Sequence, residues 1–395
     1  MRFSLLRATV VVATLAALGG AATVVAGNAG PEPKPKPTHR QDLERLRGDA
    51  DALTALGVTG VQARLVLPDG TSQVATSGVA DLPGKRPVPP DGHFRIASTA
   101  KSFVAVVALQ LVGEGRLGLD DTVERWLPGL VRGNGNDGRR ITVRQLLQHT
   151  SGMPDDFPDH ASAEDYRRHR DDVHTPESLV ARALKHPPAF PPGTAWRYSS
   201  TGFVLVDLII ERVTGRPWHE EVSSRIIKPL RLTGTSWPGR TPTLPEPHAR
   251  AYQPFDTPTL VDVTDQIVAD PEGAVISTTR DLNTFFRALL GGRLLRPAQL
   301  AEMTRTMPIG PDFAELLPDT RYGLGLFERP LPCGGTYWSH GGGDGGYITD
   351  SGVTADGRRS VVVSMSSVLG RAPEDHIRQQ RAMDTLVGNA LCGRE

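Results

Sequence analysis

In "DLERLRGDADALTAL" (Asp42 to Leu56) leucines and alanines recur three and four residues apart, which predicts an amphipathic helix. "GVQARLVLPDG" and "SQVATSGVAD" follow, and read as two strands around a Pro-Asp-Gly turn. From Ser98 to Gly115 the pattern changes again. Val104 to Leu109, Leu111 and Val112 leave almost no polar face, so this helix is expected at the centre of the fold. Between Asp120 and about Asp265, segments such as "TVRQLLQHTSG", "TPESLVARALKH" and "STGFVLVDLIIERVTG" open at Ser or Thr and stop at Gly or Pro, which predicts an all-helical region. "EGAVISTTRDLNTFFRALLGG" and "RPAQLAEMTR" read as further helices. "YGLGLFER", "TYWSHGG", "YITDSGVTADG" and "RSVVVSMSS" read as short strands, and "DHIRQQRAMDTLVGNAL" as a closing helix. Strands near both ends with helices between them predict an α/β fold: a sheet domain from residues 42–120 and 265–395, with residues 121–264 as a helical insertion.

The first residues change the picture of where this domain works. Arg2 and Arg7 precede an apolar run from Ala8 to Ala26, with small residues around Ala26 and Ala29. Residues 1–29 therefore read as a secretory signal peptide, an uncleaved anchor being the alternative because the run approaches spanning length. "GPEPKPKPTHR" continues as a proline-rich linker over residues 30–41. No second apolar run approaches that length, so a secreted chain without a stable span after cleavage is expected. In an exported chain the two cysteines, Cys333 and Cys392, predict one disulfide and are too few for zinc. Forty-four basic and forty-four acidic residues cancel, with no basic stripe, which argues against a nucleic-acid partner. A monomer acting on a small molecule or peptide, without metal or cofactor, is the expectation.

Candidate chemistry sits at the start of the apolar helix. In "STAK", Ser98 and Lys101 are three residues apart, on one helix face, where the amine can reach the hydroxyl. Serine is also a favoured helix cap, and the spacing alone does not choose between cap and nucleophile. Lys101 lies among Ala100, Phe103 and Val104, where burial would depress its pKa and make it a usable base. Two other stretches carry polar groups: "WRYSST" places Tyr198 and Ser200 ahead of an apolar helix, and "WSHGGGDGG" places His340 at a strand end before three glycines.

In this order, the three stretches resemble the active-site set of the serine beta-lactamase and penicillin-binding superfamily: Ser-x-x-Lys, Tyr-x-Asn, then Lys/His-x-Gly. "STAKSFVAVVALQLVGEGRLGLDDTVERWLPGL", "ITVRQLLQHTSGM" and "STTRDLNTFFRALLGGRLLRPAQL" extend the likeness to exported D-alanyl-D-alanine carboxypeptidases of streptomycetes, over about residue 42 to the C-terminus. The resemblance implies a beta-lactamase/transpeptidase-like antiparallel sheet flanked by helices. It also implies an acyl-serine mechanism with Ser98 as nucleophile and Lys101 or Tyr198 as base. Ser200, His340, Gly342 and Gly343 would bind substrate, the amides of Ser98 and Gly343 would hold the oxyanion, and Cys333 and Cys392 would be bonded. His340, as imidazolium or as a neutral partner of Tyr198, would make activity respond to pH near its pKa. A beta-lactamase, a broad esterase or a non-catalytic binder of wall fragments are the alternatives.

Three positions depart from that pattern. Ser200 stands where the family has asparagine, and Gly341 and Gly343 stand where its carboxypeptidases often carry hydroxyls. The arginine that follows "GLGL" in those enzymes is Phe327, with Arg329 two residues on and expected on the same strand face. The departures leave the nucleophile intact and weaken the case for a free substrate carboxylate as the handle.

Overall fold

The expected hairpin forms as β1 (Gly60–Val66) and β2 (Ser72–Gly78), antiparallel, with Ala63 opposite Ala75. The computed structural model describes residues 39–393, so the leader-like segment and most of the linker lie outside the described residues. Helix α1 (His39–Ala55) begins three residues earlier than its periodicity predicts, inside the stretch read as linker. Every residue of β1 is buried, and its two faces differ. Val61, Ala63 and Leu65 share a core with Leu46, Ala50 and Leu53 of α1. Gln62 and Arg64 turn the other way and donate to Pro90 O, Thr279 Oγ1 and, from Arg64, Asp91. The period of two survives because both faces are covered.

Helix α2 (Ala100–Gly113) is the central one expected: from Ala100 to Leu111 only Gln110 is partly exposed. It shares a core with α3 (Ser200–Thr214) and α4 (Thr279–Leu290), where Phe103 stacks on Phe285. Sheet residues Trp338, Val353 and Val362 join this same core, so helices and sheet are not separate folding layers. The described residues form one compact unit.

The later strands are β3 (Phe327–Pro330), β4 (Thr336–Ser339), β5 (Gly342–Asp344), β6 (Tyr347–Thr354) and β7 (Ser360–Met365). The antiparallel sheet runs β2-β1-β7-β6-β4-β3 and continues to two-residue strands at Arg321–Tyr322 and Met307–Pro308, while β5 pairs with β6. Val61 opposite Met365 closes the sheet between the two chain ends. The closing helix α5 (Pro373–Cys392) joins α1 over one face, and Cys392 bonds to Cys333 in the β3–β4 loop.

Three local expectations change. The insertion is not wholly helical: Arg132–Gly133 pairs with Asn136–Asp137 around Asn134-Gly135, both in the left-handed region that this two-residue turn requires. "YGLGLFER" is not one strand, because Gly323–Leu326 turns between two. Gly325, at φ +83°, sits against α2 where a Cβ would meet Ala105 Cβ at 2.6 Å, and its carbonyl accepts from Ser102 Oγ. Nor is "EGAVIS" the start of a helix. Ile276–Ser277 is a short strand paired with Phe94–Arg95, and helix α4 starts after it at the cap Thr278.

Candidate active site

Ser98 sits in a single 3-10 turn, Ala97–Thr99, ahead of α2. Neither this turn nor α2 has a side-chain cap, so the Ser98 hydroxyl is not used as a helix cap. Ala97 precedes it with φ +46°, a conformation that costs a non-glycine residue about 1–2 kcal/mol. Strand β5 crosses the turn so closely that a Cβ on Gly342 would lie 2.2 Å from Ile96 O and 2.8 Å from Ser98 N. Only glycine allows this approach, which brings two backbone segments together beside Ser98.

Lys101 lies one turn further in, fully buried. Its Nζ is 3.0 Å from Glu272 Oε2 and 3.5 Å from Asp270 Oδ2. Burial alone would lower its pKa, as the sequence suggests, but these two carboxylates outweigh it and hold the lysine well above its ordinary value. The expectation of a neutral lysine base is therefore corrected. Asp207 of α3 is also buried, and burial and the neighbouring carboxylates Glu272 and Asp270 push its pKa well up. Burial pushes Glu272 itself up to about 7, against the pull of Lys101.

Tyr198 arrives at the same place from the N-terminus of α3. Its hydroxyl is buried, 5.7 Å separates Lys101 Nζ from its ring centroid, and the ring stacks on Phe313. Burial raises its pKa, while Lys101 and the Ser98 hydroxyl pull it back without reversing the shift. The start of α3 is fixed by Asp155, which accepts from Ser199 Oγ and from the amides of Ser200 and Thr201. This carboxylate on exposed helix amides is the favourable end-charge arrangement. Ser200 is the first residue of the helix, and it is not among the residues that line the cleft described below.

Beneath Tyr198 lies His149, whose ring is 4.2 Å from that of Tyr198 and 4.8 Å from that of Tyr322. Its Nδ1 accepts from Ser199 N, and burial holds its pKa well below the ordinary value. His340 is buried too. Its Nδ1 donates to Gly341 O at 2.7 Å, and its Nε2 accepts from Tyr322 Oη at 3.3 Å. Burial pushes its pKa down to about 3. His340 is thus neutral and bonded to Tyr322, not to Tyr198, so neither the imidazolium nor the Tyr198 contact expected from sequence is present. Between β4 and β5, Ser351 Oγ accepts from His340 N and donates to His340 O, standing in for ladder bonds at this interruption.

These groups border a cleft of about 260 Å³. Ser98, Tyr198 and His340 to Gly343 form its floor, and Phe313, Leu316, Leu317, Phe327, Ile348 and Met383 give it apolar walls. Arg329 faces the cleft on the same side as Phe327, as its strand spacing predicts. Its guanidinium, however, is held 3.1 Å from Asp350 and 2.6 Å from Asp384. Among the described residues, no group of three or more His, Cys, Asp or Glu side chains is placed to hold a metal ion, and no helix is long and apolar enough to cross a membrane.

Spacing brought Ser98 and Lys101 into consideration, the family resemblance added Tyr198, His340, Gly342 and Gly343, and the fold gathers them. The sequence did not point to Asp155, His149, Asp207, Asp270 or Glu272. Only "HTSGMPDD" offered a local hint, a loop rich in polar groups next to a helix end. Asp270 and Glu272 come from a loop that has no motif of its own.

The sequence model for the family described as Beta-lactamase matches residues 48–386. Penicillin-binding protein 4* of Bacillus subtilis (strain 168) is 29% identical over 284 residues, 69% of this chain and 60% of that protein. This chain therefore spans less than two thirds of that relative's length. Among solved structures, a D-stereospecific amidohydrolase from Streptomyces sp. is similar with TM-score 0.77 and 41% identity, over 86% of this chain and 98% of that one. The D-amino acid amidase of Ochrobactrum anthropi SV3, complexed with L-phenylalanine amide, is similar with TM-score 0.75 and 29% identity, over 88% and 98% of the respective chains.

Proposed function

Because the chain belongs to the beta-lactamase family of serine hydrolases, we propose that it hydrolyses amides and short peptides of apolar D-amino acids through an acyl-serine intermediate. The observation that carries the reading is the cleft itself. Ser98 and Tyr198 open into it beside apolar walls, and Arg329, the cation nearest in role to a carboxylate clamp, is already paired with two acids. A substrate side chain has a place there, and of the basic side chains lining it Arg329 is already paired, which leaves His376. The D preference rests on the likeness to the D-stereospecific amidohydrolase.

Ser98 Oγ attacks the carbonyl carbon and passes its proton to Tyr198 Oη. Tyr198 gives its own proton to the leaving nitrogen as the C–N bond breaks, which leaves an ester on Ser98. No neutral lysine is needed: Lys101, kept as ammonium, stabilises negative charge on the Tyr198 oxygen during the transfer. The amides of Ser98 and Gly343 receive the oxyanion. Water then attacks the ester, giving its proton to Tyr198 while Tyr198 returns one to Ser98. The disulfide, together with the signal-peptide reading of residues 1–29, supports activity outside the cytoplasm as part of this proposal.

A second reading, D-alanyl-D-alanine carboxypeptidase on cell-wall peptides, draws on the similarity to penicillin-binding protein 4*. Turnover of D- and L-phenylalanine amide beside an acyl-D-Ala-D-Ala tripeptide and nitrocefin separates the readings. The expected result is cleavage of the D-amide, with the L-amide at least about 100-fold slower, abolished by Ser98→Ala. Preferential cleavage of the tripeptide overturns the amidase reading in favour of the carboxypeptidase. Reaction with none of these and no labelling by a fluorophosphonate leaves a binder.

A further inference from the structure

Lys101 is surrounded by more acid than one ammonium requires. Glu272 and Asp270 approach its Nζ at 3.0 and 3.5 Å, Asp207 meets Glu272 from α3, and Lys101, Glu272 and Asp207 are all buried. Charged groups so far from water are costly unless paired, and an arrangement that merely neutralised the lysine would need a single carboxylate. Burial beside these carboxylates pushes the pKa of Asp207 well up, which lessens the excess negative charge. The result is a buried carboxylate, Glu272, held 3.0 Å from the Lys101 ammonium.

We propose that Glu272 is the positioning residue of this site: it holds the Lys101 ammonium in place beside Tyr198 and sets how basic the Tyr198 oxygen is. This rests on the acyl-serine reading above. A paired ammonium leaves the Tyr198 oxygen basic enough to take the Ser98 proton. Once Glu272 is protonated, Lys101 keeps only Asp270, at 3.5 Å, and its less compensated charge makes that oxygen a poorer acceptor. The charged and titratable groups facing Glu272 are Lys101 of α2, Asp207 of α3, Asp270 of its own loop, and the phenols of Tyr198 and Tyr322. Burial raises both tyrosines and pushes Asp207 well up, and it raises Glu272 to about 7, so an acid limb near pH 7 is expected from the Glu272–Asp207 pair beside Lys101.

The test compares the intact protein with Glu272→Gln and Glu272→Asp, using the D-phenylalanine amide rate and fluorophosphonate labelling between pH 5 and 9. The wild type is expected to lose activity on the acid side with a midpoint of about 7. Glu272→Gln mimics the protonated acid. At pH 8.5 its kcat should be about 100-fold lower with KM nearly unchanged, and its acid limb should be absent, so that the two profiles approach each other at about pH 5. Glu272→Asp should recover part of the rate and restore an acid limb. Loss by the same factor at every pH would mark a purely structural residue and overturn the proposal, as would a wild-type profile retained in Glu272→Gln. If Glu272→Gln does not fold, the wild-type and Glu272→Asp profiles decide, and a flat wild-type profile between pH 6 and 8 overturns it. A wild type that reacts with neither probe overturns the hydrolase reading and this inference with it; a reactive wild type with no acid limb overturns this inference alone.

Discussion

One methyl group separates Gly342 from alanine, and the backbone of the Ser98 turn leaves no room for it. Gly342→Ala should push β5 away from that turn, lower kcat on the order of 100-fold, the scale of losing one oxyanion donor, and cost about 1–3 kcal/mol in chemical denaturation. Tyr198→Phe keeps the stack on Phe313 and removes only the oxygen. Steady-state kinetics should then show kcat down by roughly 10²–10³-fold and KM little changed, whereas a fall in KM alone would contradict a proton shuttle. At this scale the sequence was informative about identity and uninformative about charge. Ser98 and Lys101 were visible as a pair, but the protonation of Lys101 follows from Glu272 and Asp270, residues remote in sequence that arrive through tertiary contact. His340 shows the same limit: its neighbour Gly341 was readable, and its partner Tyr322 was not.

Among the elements, those with a strong period were legible. The buried helix α2, the β1–β2 hairpin and the closing helix α5 all form near their expected positions, because periodicity reports which face meets the core. Short elements were not: the Arg132–Asp137 hairpin carried an Asn-Gly turn signal within a region whose helical stretches dominated, and "EGAVIS" became a strand because Phe94–Arg95 was there to pair with it. The apolar wall of the cleft likewise mixes elements, Phe313 from a one-turn helix, Phe327 from β3, Ile348 from β6 and Met383 from α5. Phe313→Ala should raise KM for D-phenylalanine amide about 10-fold while leaving the KM of D-alanine amide nearly unaffected, since it removes contact surface for a large side chain; loss of its stack on Tyr198 should lower kcat for both amides alike. Equal effects on the two KM values would place Phe313 outside substrate contact.

For the whole molecule, two constraints are testable. The Cys333–Cys392 bond closes a loop of sequence separation 59 and ties the end of α5 to the sheet, so replacing both cysteines with serine should cost about 2–4 kcal/mol in chemical denaturation. Buried neutral His340 makes a second. Its pKa is depressed from 6.5 to about 3, so its contribution to stability is fully present above pH 6.5 and is lost as pH falls through about 3. Asp344 and Asp350, raised by burial to about 6, act in the opposite sense, so the measurement is a difference. The stability gap between wild type and His340→Gln in urea should be larger at pH 7 than at pH 4, and a gap independent of pH would refute a neutral buried histidine.

By itself the sequence determined the long, strongly periodic elements, the closure of the sheet by both chain ends, and the three-residue spacing of Ser98 and Lys101. Those are consequences of local periodicity and of residue types at fixed offsets. Only the tertiary structure decided that Lys101 is an ammonium, that Arg329 is already spent on Asp350 and Asp384, and that the cleft is walled by apolar side chains. The charge of a buried group and the character of a cleft are set by whichever distant residues folding brings within a few ångströms, and no local pattern records them.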